Sequence, residues 1–150
     1  MKLILSVILI SIFAGLAILH FYWAGGGQFG FNNVLPANEE GVPVLSPTKT
    51  DSILVGTLLL SCGLFYVFSL NSLRSKFFIS LRNIGLWVIP MVFVLRALGD
   101  FKYVGFFKQI RSTEFASLDT IFYSPLCMLV ALIGFILLKI KGANKPYNQY

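Results

Sequence analysis

The chain has 150 residues, of which 57% are apolar and only 12% are charged, and its mean hydropathy is +0.81. A soluble globular domain usually has about 45–50% apolar and about 25% charged residues. This composition excludes a disordered tail, a disulfide-stapled secreted module and an ordinary soluble enzyme, and it predicts an integral membrane protein. The net charge of +6 comes from single or paired basic residues beside apolar runs. It therefore indicates membrane topology rather than a nucleic-acid partner.

Four apolar runs follow one another along the chain, each long enough for a membrane helix of roughly 20 residues. They cover residues 3–23, 52–70, 77–98 and 120–138. The only basic side chains inside them are His20, Arg82 and Arg96, and no acid lies within them. The sequence predicts an all-α fold, an integral membrane four-helix bundle that forms a single four-pass domain over residues 1–150. The first run follows Lys2 as in a signal peptide, but it is too long and lacks a clean cleavage site.

Four spans place both termini and the middle loop on one side of the membrane. That side, here termed the basic end, carries seven basic residues and no acid: Lys2, Arg74, Lys76, Arg82, Lys139, Lys141 and Lys145. The opposite side, the acidic end, carries five basic residues and all six acids: Glu39, Glu40, Asp51, Asp100, Glu114 and Asp119. Because basic residues accumulate on the cytoplasmic side, we expect a multi-pass protein of the cell (inner) membrane with both termini in the cytoplasm.

Small residues recur at helical spacing in three of the spans. They are Ser11 and Gly15 in the first, Ser52, Gly56 and Gly63 in the second, and Ser124, Cys127, Ala131 and Gly134 in the fourth. Small residues let helix backbones approach closely in lipid, so we expect these faces to pack against neighbouring helices.

The two loops at the acidic end are long. The first, about residues 24–51, is rich in glycine and proline and predicts irregular turns. The second, about residues 99–119, mixes aromatic and basic side chains, and Tyr103, Phe106 and Ile110 share a helical spacing. We therefore predict a short interfacial helix in this loop, whose simplest role is to anchor the protein in the headgroup layer.

Ionisable groups collect where the spans meet the acidic end. His20 and Trp23 close the first span, Arg96 and Asp100 close the third, and Asp119 opens the fourth. An ionisable residue in a span is costly and points to function. Simpler structural roles stay open: an interfacial histidine, an Arg96–Asp100 ion pair and a helix cap at Asp119.

From these positions we expect His20, Arg96, Asp100 and Asp119 to converge on one polar cluster at the acidic end. A lone arginine in hydrocarbon costs about 2.5–3.5 kcal/mol on insertion scales, which favours pairing with a carboxylate. The cluster should adjoin a cavity that is walled by Trp23, Tyr103 or Tyr123.

Three stretches resemble the signatures of a known family. Residues 20–27, His-Phe-Tyr-Trp-Ala-Gly-Gly-Gly, are similar to H-x-Y-W-A-x-G-G, and residues 96–108 are similar to R-x-x-G-D-F-x-Y-V-G-F-F-K. Residues 115–119 and 123–127 resemble the closing block. The resemblance is to a family of small, four-pass bacterial membrane proteins of uncharacterised function. It implies a fold and a topology, and it brings no activity or ligand.

Three functions fit these observations, in order of preference. The first is binding of a lipid headgroup or a small amphipathic or anionic ligand in a polar cavity at the acidic end. The second is a structural or accessory membrane subunit without ligand. The third is an intramembrane enzyme with His20 or Asp100 as general acid or base.

The candidate ligand-binding residues are His20, Trp23, Arg96, Asp100, Lys102, Tyr103, Lys108, Asp119 and Tyr123. Among them Arg96, Lys102 and Lys108 supply positive charge, while the aromatic residues form walls. We expect no cofactor and no metal, because one histidine with scattered acids lacks the ligand spacing of a metal site. The expected partners are membrane lipid and the ligand, and the oligomeric state stays open.

Overall fold

The computed structural model describes residues 1–70 and 75–143, and within these ranges the chain is helical with no β-strand. The helices are α1 (Lys2–Ala24), α2 (Lys49–Leu70), α3 (Lys76–Leu98), α4 (Glu114–Leu118) and α5 (Ser124–Ala143). A π-helical turn, Asp119–Tyr123, joins α4 to α5, so the fourth apolar helix runs over Glu114–Ile140. All four long helices have the length and hydropathy to cross a membrane. The predicted four-helix bundle is confirmed.

The first three helices begin and end within three residues of the predicted spans, whereas the fourth begins earlier. Thr113 caps it, because the Thr113 Oγ1 atom accepts a hydrogen bond from the Ala116 N–H at 3.1 Å. The prediction that Asp119 opens and caps this helix is therefore wrong. Arg74 and Lys145, two of the basic residues used for the topology prediction, lie outside the described residues.

The helices pack as two antiparallel pairs, α1 with α2 and α3 with the fourth apolar helix. In the first pair, Gly63 of α2 lies against Phe13 of α1. In the second, Gly134 of α5 lies against Pro90 of α3. These contacts confirm the small faces predicted for the second and fourth spans. The face predicted for the first span is wrong, because Ser11 and Gly15 are exposed.

The core is a continuous apolar cluster to which all four long helices contribute. Its buried members are Leu9, Phe13, Tyr66, Leu86, Val130, Ile133 and Leu137. The Phe13 and Tyr66 rings stack with their centroids 5.9 Å apart, which joins α1 to α2. Large aliphatic side chains such as Leu58 and Leu132 point outward and are exposed, as lipid-facing surfaces require.

The loop between α3 and α4 is irregular over residues 99–113. The helix expected around Tyr103–Ile110 is absent there, and the short helix of this loop is α4, at its end. Gly99 and Gly105 have φ angles of +88° and +89°, which break a right-handed helix. The loop instead folds back on α3, because the Phe106 N–H donates to the Ala97 carbonyl at 2.8 Å.

Candidate functional site

Asp119 is the centre of a buried ionic cluster at the acidic end. Its side chain is 0% exposed. The Oδ1 atom accepts a hydrogen bond from Arg96 Nη2 at 3.1 Å, and Oδ2 accepts from Lys108 Nζ at 3.0 Å and from the Gly105 N–H at 2.7 Å. Two cations and one amide thus compensate the carboxylate's loss of water. These residues, together with Thr120, are termed the Asp119 cluster.

Lys108 is saturated by this cluster. Its side chain is 1% exposed, and besides Asp119 its Nζ atom donates to the Gly105 carbonyl at 3.1 Å and to Thr120 Oγ1 at 2.7 Å. An ammonium group has three N–H donors and no acceptor. Because all three are engaged inside the protein, Lys108 has none left for a ligand, and its contacts are those of a structural cation.

The π-helical turn positions Asp119, and Gly105 positions one of its hydrogen-bond donors. In this turn the Ser124 N–H donates to the Asp119 carbonyl, five residues back, just before Pro125, which has no N–H to give. Gly105 presents its N–H to the carboxylate only because it lacks a Cβ. A Cβ there would collide with the backbone of Leu98 and Gly99.

Arg96 is the open member of the Asp119 cluster. Its side chain is 36% exposed, in contrast to the buried Lys108, so part of the side chain reaches the surface. Its Nη1 atom is buried and has no hydrogen-bond partner among the described residues. The predicted pairing of Arg96 with a carboxylate is confirmed, and the partner is Asp119.

Asp100 does not join this cluster. α3 ends at Leu98, and the turn at Gly99 directs Asp100 away from Arg96, so neither the helical ion pair nor the shared cluster forms. The Asp100 Oδ1 atom instead accepts the backbone N–H groups of residues 102–104 at 2.7–2.9 Å. Partial burial acts to raise the pKa of the exposed Asp100 carboxyl, but these hydrogen bonds outweigh it and lower the pKa below its ordinary value.

His20 also lies apart from the Asp119 cluster. Its ring packs edge-on against Trp23, with the centroids 4.9 Å apart, and its Cβ adjoins Gly56 of α2. Among the described residues the Nδ1 atom of His20 has no hydrogen-bond partner. The expected convergence is thus right for Arg96 and Asp119 and wrong for His20 and Asp100.

Tyr123 joins the first loop of the acidic end to the fourth helix. Its hydroxyl donates to the Asn33 carbonyl at 3.3 Å, and the Asn33 side-chain amide donates to Glu114 Oε1 at 3.0 Å. Asn33 and Glu114 were not predicted from the sequence, because only the folded chain brings positions 81 residues apart into contact. The first loop is therefore fastened to the start of the fourth helix at two points.

Lys102 and Tyr103 lie on the surface of the second loop. The Lys102 ammonium is 5.1 Å from the centroid of the Tyr103 ring, a cation–π distance. The Lys102 side chain is exposed. Within the described ranges no hydrogen bond joins this pair to Asp119 or His20.

A cleft of about 350 Å³ opens at the acidic end, between the first loop and the start of α2. Its walls are formed by Trp23, Gly26, Gly27, Gln28, Phe31, Asn32, Pro47, Thr48, Lys49 and Ser52. Of the three alternative walls predicted, Trp23 lines this cleft, and Tyr103 and Tyr123 are not part of its lining. Trp23 is held there by its Nε1–H, which donates to the Phe29 carbonyl at 2.9 Å.

The acidic end combines the buried Asp119 cluster with an open cleft. Asp119 and Lys108 are buried and paired, so neither is placed to exchange protons with a substrate. Within the described ranges no three His, Cys, Asp or Glu side chains are grouped so that they could hold a metal ion. The cleft is lined by one cation, Lys49, together with neutral polar and aromatic side chains and no acid.

A family model described as "Protein of unknown function (DUF3995)" matches residues 13–134, from the middle of α1 to the middle of α5. The match takes in both loops of the acidic end and therefore every candidate site residue. No curated protein and no solved structure matches the chain.

Proposed function

The chain belongs to this family of proteins of unknown function, and we propose that it binds a lipid headgroup or a small amphipathic anion in the cleft at its acidic end. The observation that carries the proposal is the cleft itself. Its volume of about 350 Å³ falls in the range of about 300–1,000 Å³ that is typical of small-molecule sites.

The lining of the cleft favours a ligand with one negative charge and an apolar part. Lys49 supplies the positive charge and is the first residue of α2, where the helix dipole adds to the attraction for an anion. Gln28 and Asn32 offer amide hydrogen bonds beside it. Trp23 and Phe31 form an aromatic wall, with ring centroids 5.8 Å apart, against which an acyl or ring group can pack.

The Asp119 cluster supports this cleft without lining it. It fixes the second loop, and the start of the fourth helix then holds Asn33 through Glu114 and Tyr123. Asn33 is the neighbour of Asn32, which lines the cleft. The proposal therefore divides the predicted site into a binding part, next to Trp23, and a supporting part around Asp119.

A second candidate function is a structural or accessory subunit without ligand, and the contacts of Asp119 and Lys108 favour it. Both side chains have all their hydrogen-bond partners inside the protein and need no ligand. The third hypothesis, an intramembrane enzyme, needs His20 or Asp100 to act as an acid or base. Asp100 is committed to its own loop, and His20 has no ionisable partner within hydrogen-bond distance in the described residues.

The orientation in the inner membrane, with both termini cytoplasmic, is part of the same proposal, and it places the cleft on the periplasmic face. Cysteine labelling in a background without Cys62 and Cys127 tests it. A membrane-impermeant maleimide should label Asn38→Cys in intact cells and should miss Lys76→Cys. The reverse pattern would contradict the orientation.

Trp23 gives a direct test of ligand binding, because the chain has only two tryptophans and Trp87→Phe leaves Trp23 as the single reporter. Short-chain phosphatidylglycerol and phosphatidylcholine are titrated into the full-length protein in a non-ionic detergent. We expect phosphatidylglycerol to change the Trp23 emission. Lys49→Gln should weaken this binding about tenfold, as loss of one charged hydrogen bond predicts.

The matched control is Lys102→Gln, which removes an exposed cation of the second loop outside the cleft. It should change the affinity by less than about twofold. Equal losses in both variants would indicate diffuse electrostatic attraction. Absence of any response in the protein with intact Lys49 would favour the subunit without ligand.

A further inference from the structure

A second group of polar side chains lies at the basic end, and the proposed function does not use it. All four long helices contribute to one small pocket there. Its lining consists of Lys2, Ser6, Ser69, Arg82, Leu86 and Leu137. The pocket joins the two helix pairs, because Lys2, Ser6 and Ser69 belong to α1 and α2 and the other three to α3 and α5.

Two hydrogen-bonding groups in this pocket have no partner among the described residues. Ser6 is 0% exposed, yet its hydroxyl neither donates nor accepts a hydrogen bond. The Arg82 Nε atom is also buried and has no acceptor among the described residues. Buried donors without an acceptor are destabilising and rare in proteins. Two of them on one pocket indicate an acceptor that the described residues do not supply.

The charge of the pocket is positive without compensation by a carboxylate side chain. Lys2 and Arg82 are its ionic groups, and among the described residues Lys2 Nζ donates only to the Ser69 carbonyl, at 3.3 Å, near the end of α2. All six acidic residues of the sequence belong to the acidic end. The acceptor that satisfies Ser6 and Arg82 should therefore be an anion.

With the helix ends at the membrane surface, the depth of the pocket matches the headgroup layer. Arg82 lies six residues into α3, about 9 Å along the helix axis from Lys76, and Ser6 lies about 6 Å along α1 from Lys2. Each headgroup layer is roughly 5–8 Å thick. Side chains one to two turns inside the helix ends thus reach the boundary between headgroups and acyl chains.

We propose that this pocket binds the phosphate of an anionic phospholipid, with Arg82 Nε and the Ser6 hydroxyl as donors to one phosphate oxygen and Lys2 as a second positive charge. The enclosed volume is only about 10 Å³, enough for one oxygen-sized group. The pocket therefore takes a single phosphate oxygen, and the rest of the phosphate and headgroup stays at the membrane surface. The bound phosphate would connect the two helix pairs at the basic end.

Native mass spectrometry of the full-length protein in a non-ionic detergent tests this proposal, with phosphatidylglycerol and phosphatidylcholine of equal acyl length as probes. We expect tighter binding of phosphatidylglycerol. Arg82→Gln should weaken it about tenfold, and Ser6→Ala about threefold to fivefold, as the loss of a charged and a neutral hydrogen bond predicts. The control Lys76→Gln removes an exposed cation of the same end outside the pocket and should change affinity by less than about twofold.

Ser6→Ala keeps the test decisive if Arg82→Gln fails to fold. It deletes an unpartnered hydroxyl, so without lipid the variant should melt at or above the temperature of the unaltered protein, while its lipid affinity falls.

Competition by millimolar inorganic phosphate would identify free phosphate as a source, and its absence would identify the lipid headgroup; both outcomes support a phosphate site. Equal binding of the two lipids, or equal effects of Arg82→Gln and Lys76→Gln, would overturn the proposal.

Discussion

The two ends of the bundle treat buried cations in opposite ways. At the acidic end Arg96 and Lys108 share the carboxylate of Asp119, and Lys108 has every donor engaged, whereas Arg96 Nη1 has no partner among the described residues. At the basic end Lys2 and Arg82 share a pocket whose described lining contains no carboxylate, and Ser6 Oγ and Arg82 Nε have no partner among those residues. We call the first cluster closed because its counter-charge is a side chain of the protein, and the second open because its lining holds none.

This difference has consequences for what each end depends on. The closed cluster should be insensitive to lipid composition, because its carboxylate is part of the chain and is inaccessible to solvent. The open pocket should respond to the charge of the surrounding lipids. Two kinds of substitution test this difference: one removes the carboxylate of the acidic end, and the other adds a carboxylate to the basic end.

The largest effect is expected from Asp119→Asn. The substitution leaves Lys108 buried with a neutral partner, and removal of one member of a buried ion pair typically costs about 3–5 kcal/mol. Arg96 should contribute less to the loss, since it is partly exposed and can turn towards water. Thermal unfolding of the purified protein in detergent measures the change, with the exposed Glu39→Gln as the control that should leave the melting temperature unaltered.

A double variant identifies the cause of that loss. Lys108→Met together with Asp119→Asn removes the uncompensated charge, so it should be less destabilising than the sum of the single variants. If the effects simply add, the pair is not coupled, and Asp119 stabilises the fold through Gly105 or Arg96 alone.

Gly105→Ala should have the next largest effect, about 2–3 kcal/mol, because it adds a Cβ both at a left-handed φ angle and against the backbone of Leu98. Gly41→Ala is the matched control. Gly41 has a φ of +78° but nothing near its absent Cβ, so its cost should be about 1 kcal/mol. Equal melting temperatures for the two variants would show that the contact between Gly105 and α3 is not needed to place the Asp119 donors.

The helices and the Arg96–Asp119 pair were predictable because lipid imposes strong constraints on a sequence. A span must be apolar over roughly 20 residues, and an arginine near its end needs a counter-charge or access to water. Both constraints can be read from the amino-acid sequence without knowledge of the tertiary contacts. The one large error in the helix ends, at Glu114, arose because Thr113 caps a turn that lies outside the apolar run.

The loops were much less predictable, since their contacts join distant parts of the chain. The local sequence pattern does not indicate that Lys108 is buried or that the Asn33 carbonyl accepts a hydrogen bond from Tyr123. The helical spacing around Tyr103 was misleading because glycines at 99 and 105 override it. Those glycines, with an aspartate between them, were the local signal for a tight turn.

Ser6→Asp gives the basic end a carboxylate of its own and should have a smaller effect, about 1–2 kcal/mol. In nanodiscs of phosphatidylcholine the variant should melt higher than the unaltered protein, because the new carboxylate can pair with Arg82. The stabilisation that phosphatidylglycerol gives the unaltered protein should disappear. Ser75→Asp, an exposed position at the same end, adds the same charge outside the pocket and should retain the lipid dependence.

The smallest effect concerns Asp100, a carboxylate of the second loop that lies outside the Asp119 cluster. Its pKa is lowered in the folded protein, because hydrogen bonds from residues 102–104 outweigh partial burial. A group with a lowered pKa stabilises the fold above the pKa of the unfolded chain, about 3.9 for aspartate, and this contribution is lost as the pH falls through the lowered value. The unaltered protein should therefore melt slightly above Asp100→Asn at pH 6, and the difference should shrink as the pH falls below about 4. Amide hydrogen exchange in this loop should show the same trend. A difference that stays constant over this range would mean that the ionised state of Asp100 does not stabilise the turn.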